Sequence, residues 1–199
     1  MNIEEAIKII KQGGIVIYPT DTAFGIGCRV DNEKAVERLF NLRKRPPQQA
    51  TPVLFDSQDR VKEYVLPYHQ NVEELMAKYW PGALTVVLEC RVEKIPSIVR
   101  GGGKTLGVRI PDHPVVWELV RGADVPILGP SANFHNEATP YSFSALDKKL
   151  LKLADYYLEG KTKGIQLAST VIDASVHPWK IIRQGAVKIG DEQTDNRHN

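Results

Sequence analysis

Apolar residues recur at helical spacing at Ile3, Ala6, Ile7 and Ile10, with Asn2 ahead of them as an N-cap and Gly13-Gly14 behind as a stop. The run that follows, Ile15-Val16-Ile17-Tyr18, is continuous and branched, which predicts a buried strand over 15–18. Asp31 is the expected cap of a second helix whose Val36, Leu39 and Phe40 face a core. Two more helices are predicted near 58–65 and 71–79, the later one stopped by Trp80-Pro81-Gly82. A strand over 84–89, a glycine-rich turn and a strand over 105–110 come next. Pro114 suits the first turn of a helix running through Val120. Beyond it the pattern predicts a strand at 125–128, a long loop over 129–141, a helix near 142–153, and short strands around 169–173 and 180–183.

This order of elements is that of an α/β protein, a single domain over residues 3–187 with helices covering a sheet. Strands and helices do not alternate strictly toward the C-terminus, so the sheet is expected to be mixed. The last ten residues, "GDEQTDNRHN", are polar and read as a disordered tail over 190–199.

Composition narrows the function classes. Of 199 residues, 42% are hydrophobic and 25% charged, the balance of an ordinary globular chain, not a disordered one. A net charge of +2 is too mild to argue for nucleic acid by itself. Cys28 and Cys90 stand far apart, which offers no zinc pattern and suits a reducing compartment. Glu4 and Glu5 in the first helix do not fit a signal peptide, and apolar runs such as Leu84-Thr85-Val86-Val87-Leu88 are strand-sized, so no membrane partner and a cytoplasmic location are expected.

The chemistry-bearing residues gather where strands and helices end. Strand 15–18 leads into "YPTDTAFG", where Thr20, Asp21 and Thr22 follow one another; such a turn can be simple punctuation. Arg38, Arg43, Lys44 and Arg45 close the second helix, either as solvated cations opposing its dipole or as a phosphate clamp. "GGGKT" at 101–105 is not a P-loop, because Ile98 stands where the first glycine belongs. Gly25-x-Gly27 lacks the third glycine of a dinucleotide fingerprint, Val30 being there instead. Ser131 and Asn133 lie just past the end of the strand predicted at 125–128, where α/β sheets contact ligands. No Gly-x-Ser-x-Gly elbow or His-Glu-x-x-His pair occurs. The supply of Arg, Thr, Ser and Asn suits phosphate positioning and charge stabilisation better than covalent catalysis.

The segments "GGIVIYPTDTAFGIG", "LRKRP", "YWPGALTVVL", "GVRIPDHP", "PSAN", "STVID" and "IIRQGA" stand in the order found in the YrdC-like family of L-threonylcarbamoyladenylate synthases, which the chain resembles from about residue 3 to 187. The resemblance implies a twisted mixed sheet with flanking helices enclosing a concave, basic cavity. It implies synthesis of threonylcarbamoyl-AMP and pyrophosphate from L-threonine, bicarbonate or CO2, and ATP, with Mg2+ accompanying ATP. The product would pass to the machinery that transfers threonylcarbamoyl to tRNA. Carried over position by position, it places Thr22, Arg109, Ser131 and Ser169 around L-threonine. It places Arg43, Arg45, Thr105, Asn133, Tyr141 and Arg183 on ATP, with Arg43 and Arg45 stabilising phosphate charge during catalysis.

Departures from the family pattern fall at Arg43, where lysine is usual, at Phe24, usually tyrosine, and at His135-Asn136, usually Ser-Gly. Tyr141 stands where Ser or Thr is frequent. Two other readings are a double-stranded RNA or tRNA-binding module, expected to bind RNA only weakly, and a paralogue adenylating another carbamate. The intact Ser131-x-Asn133 favours the synthase over the paralogue, and the lack of a basic, aromatic-studded stripe disfavours RNA as the main ligand.

Overall fold

The computed structural model describes residues 2–189; the tail predicted at 190–199 lies outside the described residues. Helix α1 (Ile3–Lys11) begins as its sequence requires, with the Asn2 carboxamide accepting from the Glu5 N–H at 3.0 Å, and it buries Ala6 and Ile10. Strand β1 (Val16–Pro19) pairs antiparallel with β2 (Phe24–Gly27) across the Thr20–Ala23 turn. Helix α2 (Glu33–Leu42) is capped by Asn32, not by Asp31. The Asp31 carboxylate is instead held through both oxygens by the Arg29 guanidinium, at 2.5 Å from Nε and 2.7 Å from Nη2.

Strand β3 (Val53–Leu54), helices α3 (Gln58–Lys62) and α4 (Gln70–Tyr79), and strands β4 (Leu84–Glu89) and β5 (Thr105–Arg109) follow, then α5 (Pro114–Ala123) and β6 (Ile127–Leu128). The single helix expected over 142–153 is broken. Phe143–Ala145 forms a 3-10 turn, and Asp147 then caps a new helix, α6 (Lys148–Leu153), by accepting from the Lys149 and Leu150 N–H groups. Strands β7 (Tyr156–Tyr157), β8 (Thr170–Asp173) and β9 (Lys180–Arg183) complete the described chain.

The strands form a three-stranded sheet, β2-β1-β7, and a six-stranded one, β6-β3-β5-β4-β8-β9, with parallel and antiparallel pairs in each. A seam joins the two. Val30 N–H bonds Pro126 O, Leu128 N–H bonds Cys28 O, Ile26 N–H bonds Pro130 O and Ala132 N–H bonds Phe24 O, at 2.8–3.0 Å. Glycine makes this approach possible: a Cβ on Gly27 would stand 2.0 Å from Leu128 O, and one on Gly25 would stand 2.8 Å from the Tyr18 ring. The buried Tyr18 hydroxyl closes the seam from below, donating to Leu128 O at 2.6 Å.

Period-2 alternation assigns each face. Val16, Tyr18, Leu54 and Ile127 pack with Ala6 and Ile10 of α1 and Val116, Leu119 and Val120 of α5. Ile17, Ile26, Val53, Val86, Val108 and Ile172 point to the other side, against Val36 and Leu39 of α2 and Leu75 and Met76 of α4. Along β4, β5 and β8 the first face has no such apolar cover: Thr85, Val87, Thr105, Gly107, Arg109 and Val171 border a cavity there.

Gly27→Ala is expected to destabilise the protein by about 1–3 kcal/mol or more, since the methyl meets backbone and not a movable side chain. Gly107→Ala, whose Cβ would make only ordinary contacts with Thr85 and Pro52, is expected to leave stability near wild type. Urea melts of the two variants check the contrast, and equal destabilisation would contradict the seam.

Candidate active site

The cavity has a volume of about 330 Å³, and its four charged lining residues are all arginines: Arg43, Arg45, Arg109 and Arg183. Arg43 and Arg45 come from the end of α2. Lys44 adopts a left-handed φ of 54°, while Lys44 N–H bonds Asn41 O and Arg45 N–H bonds Phe40 O, a Schellman closure. The turn brings the residues flanking Lys44 into the cavity wall, and the Lys44 ammonium itself lies over the Phe134 ring.

Arg43 is not the solvated helix-end cation that its position allows; it is 3% exposed. Its Nε donates to Asn133 O at 2.9 Å and its Nη2 to Asn133 Oδ1 at 3.3 Å, while the buried Nη1 has no protein partner. Burial, and then the charge of Arg45, pushes its pKa down to about 10. Arg45 donates to the carbonyls of Gln49 and Ala50, so it also shapes its own loop, and burial lowers its pKa. Arg183 reaches from β9 to Ser169 O at 2.9 Å; burial, and then Arg109, lowers its pKa. None of these three pairs with a carboxylate among the described residues.

Arg109 differs. Its Nη2 donates to Asp21 at 2.5 Å, its Nη1 to Thr22 Oγ1 at 3.1 Å and its Nε to Gly82 O at 3.0 Å. The Thr20-Asp21-Thr22 turn is therefore more than punctuation: Thr20 closes it by donating to Ala23 O, and its other two members hold Arg109. Charge neutralisation by the buried Asp21 lets Arg109 keep a fixed orientation with N–H capacity left on both terminal nitrogens.

Of the residues singled out from the sequence, Thr22, Arg43, Arg45, Thr105, Arg109, Ser131, Ser169 and Arg183 line this one cavity. Asn133 and Tyr141 are not on its lining. Asn133 lies behind Arg43, its Oδ1 accepting from Ser131 at 2.5 Å and its Nδ2 donating to Glu137 O. Tyr141 contributes its carbonyl, which accepts from the Thr162 hydroxyl at 2.7 Å. Sequence reasoning passes over Asp21 as a partner of Arg109, and over Thr51, Thr85 and Thr139 on the wall. The Thr51 hydroxyl, like Arg43 Nη1, is buried without a hydrogen-bond partner. The alternation Leu84-Thr85-Val86 and Leu106-Gly107-Val108 carries a readable signal for this wall, since small or polar residues interrupt otherwise apolar strands.

The family model Sua5/YciO/YrdC, described as "Telomere recombination", matches residues 8–185. The chain belongs to this family. It is 31% identical over 186 residues to the threonylcarbamoyl-AMP synthase of Vibrio cholerae, covering 92% of this chain and 97% of that protein. It is 28% identical over 185 residues to the Bacillus subtilis protein of the same name, covering 93% of this chain but 54% of the relative. The structure of Pyrococcus abyssi Sua5 complexed with L-threonine superposes with a TM-score of 0.86 at 29% identity, over 92% of this chain and 54% of that one. The chain thus spans about half the length of the Bacillus and Pyrococcus relatives.

The buried cation carries the sharpest test. A folded-state pKa below the unfolded value means that charging Arg43 costs stability throughout neutral pH, a cost lost only as pH rises above about 10. Arg43→Met is therefore expected to leave stability at pH 7 unchanged or raised, by up to about 1–4 kcal/mol. The same variant should bind inorganic tripolyphosphate at least about tenfold more weakly. Urea melts and calorimetric titration check both; lost stability with unchanged anion affinity would contradict the assignment.

Proposed function

We propose that the protein is a threonylcarbamoyl-AMP synthase, joining L-threonine, bicarbonate or CO2, and ATP into threonylcarbamoyl-AMP and pyrophosphate for threonylcarbamoyl transfer to tRNA. The observation that carries this reading is the arginine set. Three guanidiniums held only by carbonyl and hydroxyl groups line one cavity. Such a surface suits a polyanion. The names of the relatives from Vibrio and Bacillus, and the threonine bound by the Pyrococcus protein, support the choice of substrates. A volume of about 330 Å³ suits small molecules and is far too small to admit duplex RNA.

The cavity has room for a division of labour. Thr105 and Arg109 face it from opposite ends of β5, four residues and so about 13 Å apart. In the proposed arrangement the amino acid lies at the Arg109 end, its carboxylate on the free N–H groups of Arg109 and its other groups near Thr22, Ser131 and Ser169. The nucleotide lies toward Thr105, with its phosphates on Arg43, Arg45 and Arg183. The threonine nitrogen forms a bond to CO2 carbon and loses a proton, giving a carbamate. A carbamate oxygen then attacks the α-phosphorus as the bond to pyrophosphate breaks. Negative charge gathers on phosphate oxygens in that step, and fixed arginines stabilise it without reorganising.

The lining has no Asp or Glu, and among the described residues no cluster of three or more His, Cys, Asp or Glu could hold a metal. The described cavity lining thus offers no carboxylate for a resident Mg2+. The proposal keeps Mg2+ only as part of the Mg·ATP substrate.

Pyrophosphate release with all three substrates, and its loss on omitting threonine or bicarbonate, is the expected outcome of the direct assay. Arg45→Ala should raise the KM for ATP by about 10- to 150-fold, the equivalent of roughly 1.5–3 kcal/mol for a charged hydrogen bond. Release that is indifferent to the amino acid would sink the reading.

A further inference from the structure

Three strands meet at one hydroxyl in the cavity wall. Ser169, just before β8, places its Oγ 2.9 Å from Thr85 Oγ1 of β4. Arg183 of β9 donates to the same Oγ at 3.3 Å and, through Nε and Nη2, to Ser169 O at 3.2 and 2.9 Å. Ser169 and Thr85 are both buried, at 8% and 5% exposure. The cluster is held tightly by the chain, since Ala186 N–H bonds Ala168 O and a Cβ on Gly185 would come within 2.3 Å of that carbonyl. A hydroxyl at position 85 is not a requirement of the strand: Val87, two residues on, borders the same cavity with an apolar side chain of the same shape.

Hydrogen-bond capacity decides what Thr85 does. A serine oxygen has two lone pairs and one proton, and an arginine can only donate. Arg183 fills one lone pair. If Thr85 donates as well, both are filled and the Ser169 proton is left to point into the cavity. The opposite polarity would leave Ser169 offering a lone pair to a ligand that brings anionic oxygens, a repulsive arrangement. Building on the synthase reading, we propose that Thr85 is a positioning residue. Its hydroxyl donates to Ser169 Oγ, and with Arg183 it makes Ser169 a donor to an oxygen of the bound amino acid.

The test is a double-mutant cycle on pyrophosphate release, with Thr85→Val, Thr85→Ser, Ser169→Ala and the double variant Thr85→Val/Ser169→Ala. Thr85→Val should raise the KM for threonine about fivefold to tenfold, the loss of one neutral hydrogen bond. The KM for ATP, kcat and Tm should stay close to wild type, and Thr85→Ser should restore the KM. In the Ser169→Ala background the Thr85→Val change should add nothing. An unchanged threonine KM in Thr85→Val, a Tm loss without a KM change, or additive losses in the double variant would each overturn the proposal. Failure of the synthase reading has a different signature, no pyrophosphate release by wild type. In that event crystal structures decide the positioning role: rotation of the Ser169 side chain in Thr85→Val supports it, and an unmoved Ser169 overturns it.

Discussion

Three positive charges, on the buried Arg43, the partly buried Arg45 and the more exposed Arg183, are held in one cavity wall by neutral groups. Arg43, Arg45 and Arg183 are each anchored through backbone carbonyls, of Asn133, Gln49 and Ala50, and Ser169. A carbonyl fixes the direction of a guanidinium but leaves its charge uncompensated, which is why burial lowers all three pKa values. Mutual repulsion adds to this, since Arg45 acts on Arg43 and Arg109 on Arg183. The free protein therefore carries an electrostatic penalty that only an anion removes. Arg109 is the exception, neutralised by Asp21 and so fixed rather than hungry for charge. The contrast fits the proposed arrangement, with one carboxylate on Arg109 and several phosphates on the other three.

The rest of the fold serves to place these four side chains without covering them. The seam through Gly25, Gly27 and the Pro126–Ala132 segment joins the two sheets, and so brings the Thr20–Ala23 turn and the Ser131 loop to the same rim. Helices α1 and α5 stop short of β4 and β8, leaving a floor of Thr85, Val87, Thr105 and Gly107. Gly107 illustrates the point: its own neighbours would tolerate a methyl, so the missing side chain serves the space above the strand and not the packing below it.

Much of this was legible in the chain where local chemistry and tertiary context agree. Asn2, Pro114 and the Leu84–Glu89 run specify α1, α5 and β4 through capping, fixed φ and branched residues, and the structure follows them. The short strands were not legible. β2 is Phe-Gly-Ile-Gly, poor in intrinsic strand preference and held by the bonds of the seam, while β3 and β7 are two residues each. Asp31 is not the cap because its carboxylate is held by the guanidinium of Arg29, two residues earlier, a side-chain pairing that helix periodicity does not report. For the site, motif order brought eight of the ten named residues to one cavity. It could not reveal that Asn133 faces Arg43 with its amide, or that Asp21 neutralises Arg109, because both depend on pairings across about 90 residues of chain.

The central claim, that an uncompensated arginine wall awaits a polyanion, is tested most directly by calorimetric melting of the wild-type protein against Mg·ATP concentration, at low and high salt. Ligand that binds only the folded state must raise Tm, by about 2.7 kcal/mol of added stability at a hundred times Kd. The expected result is a Tm that climbs with Mg·ATP, climbs further when L-threonine is added, and rises less at high salt. A Tm unmoved by millimolar Mg·ATP at low salt would contradict it.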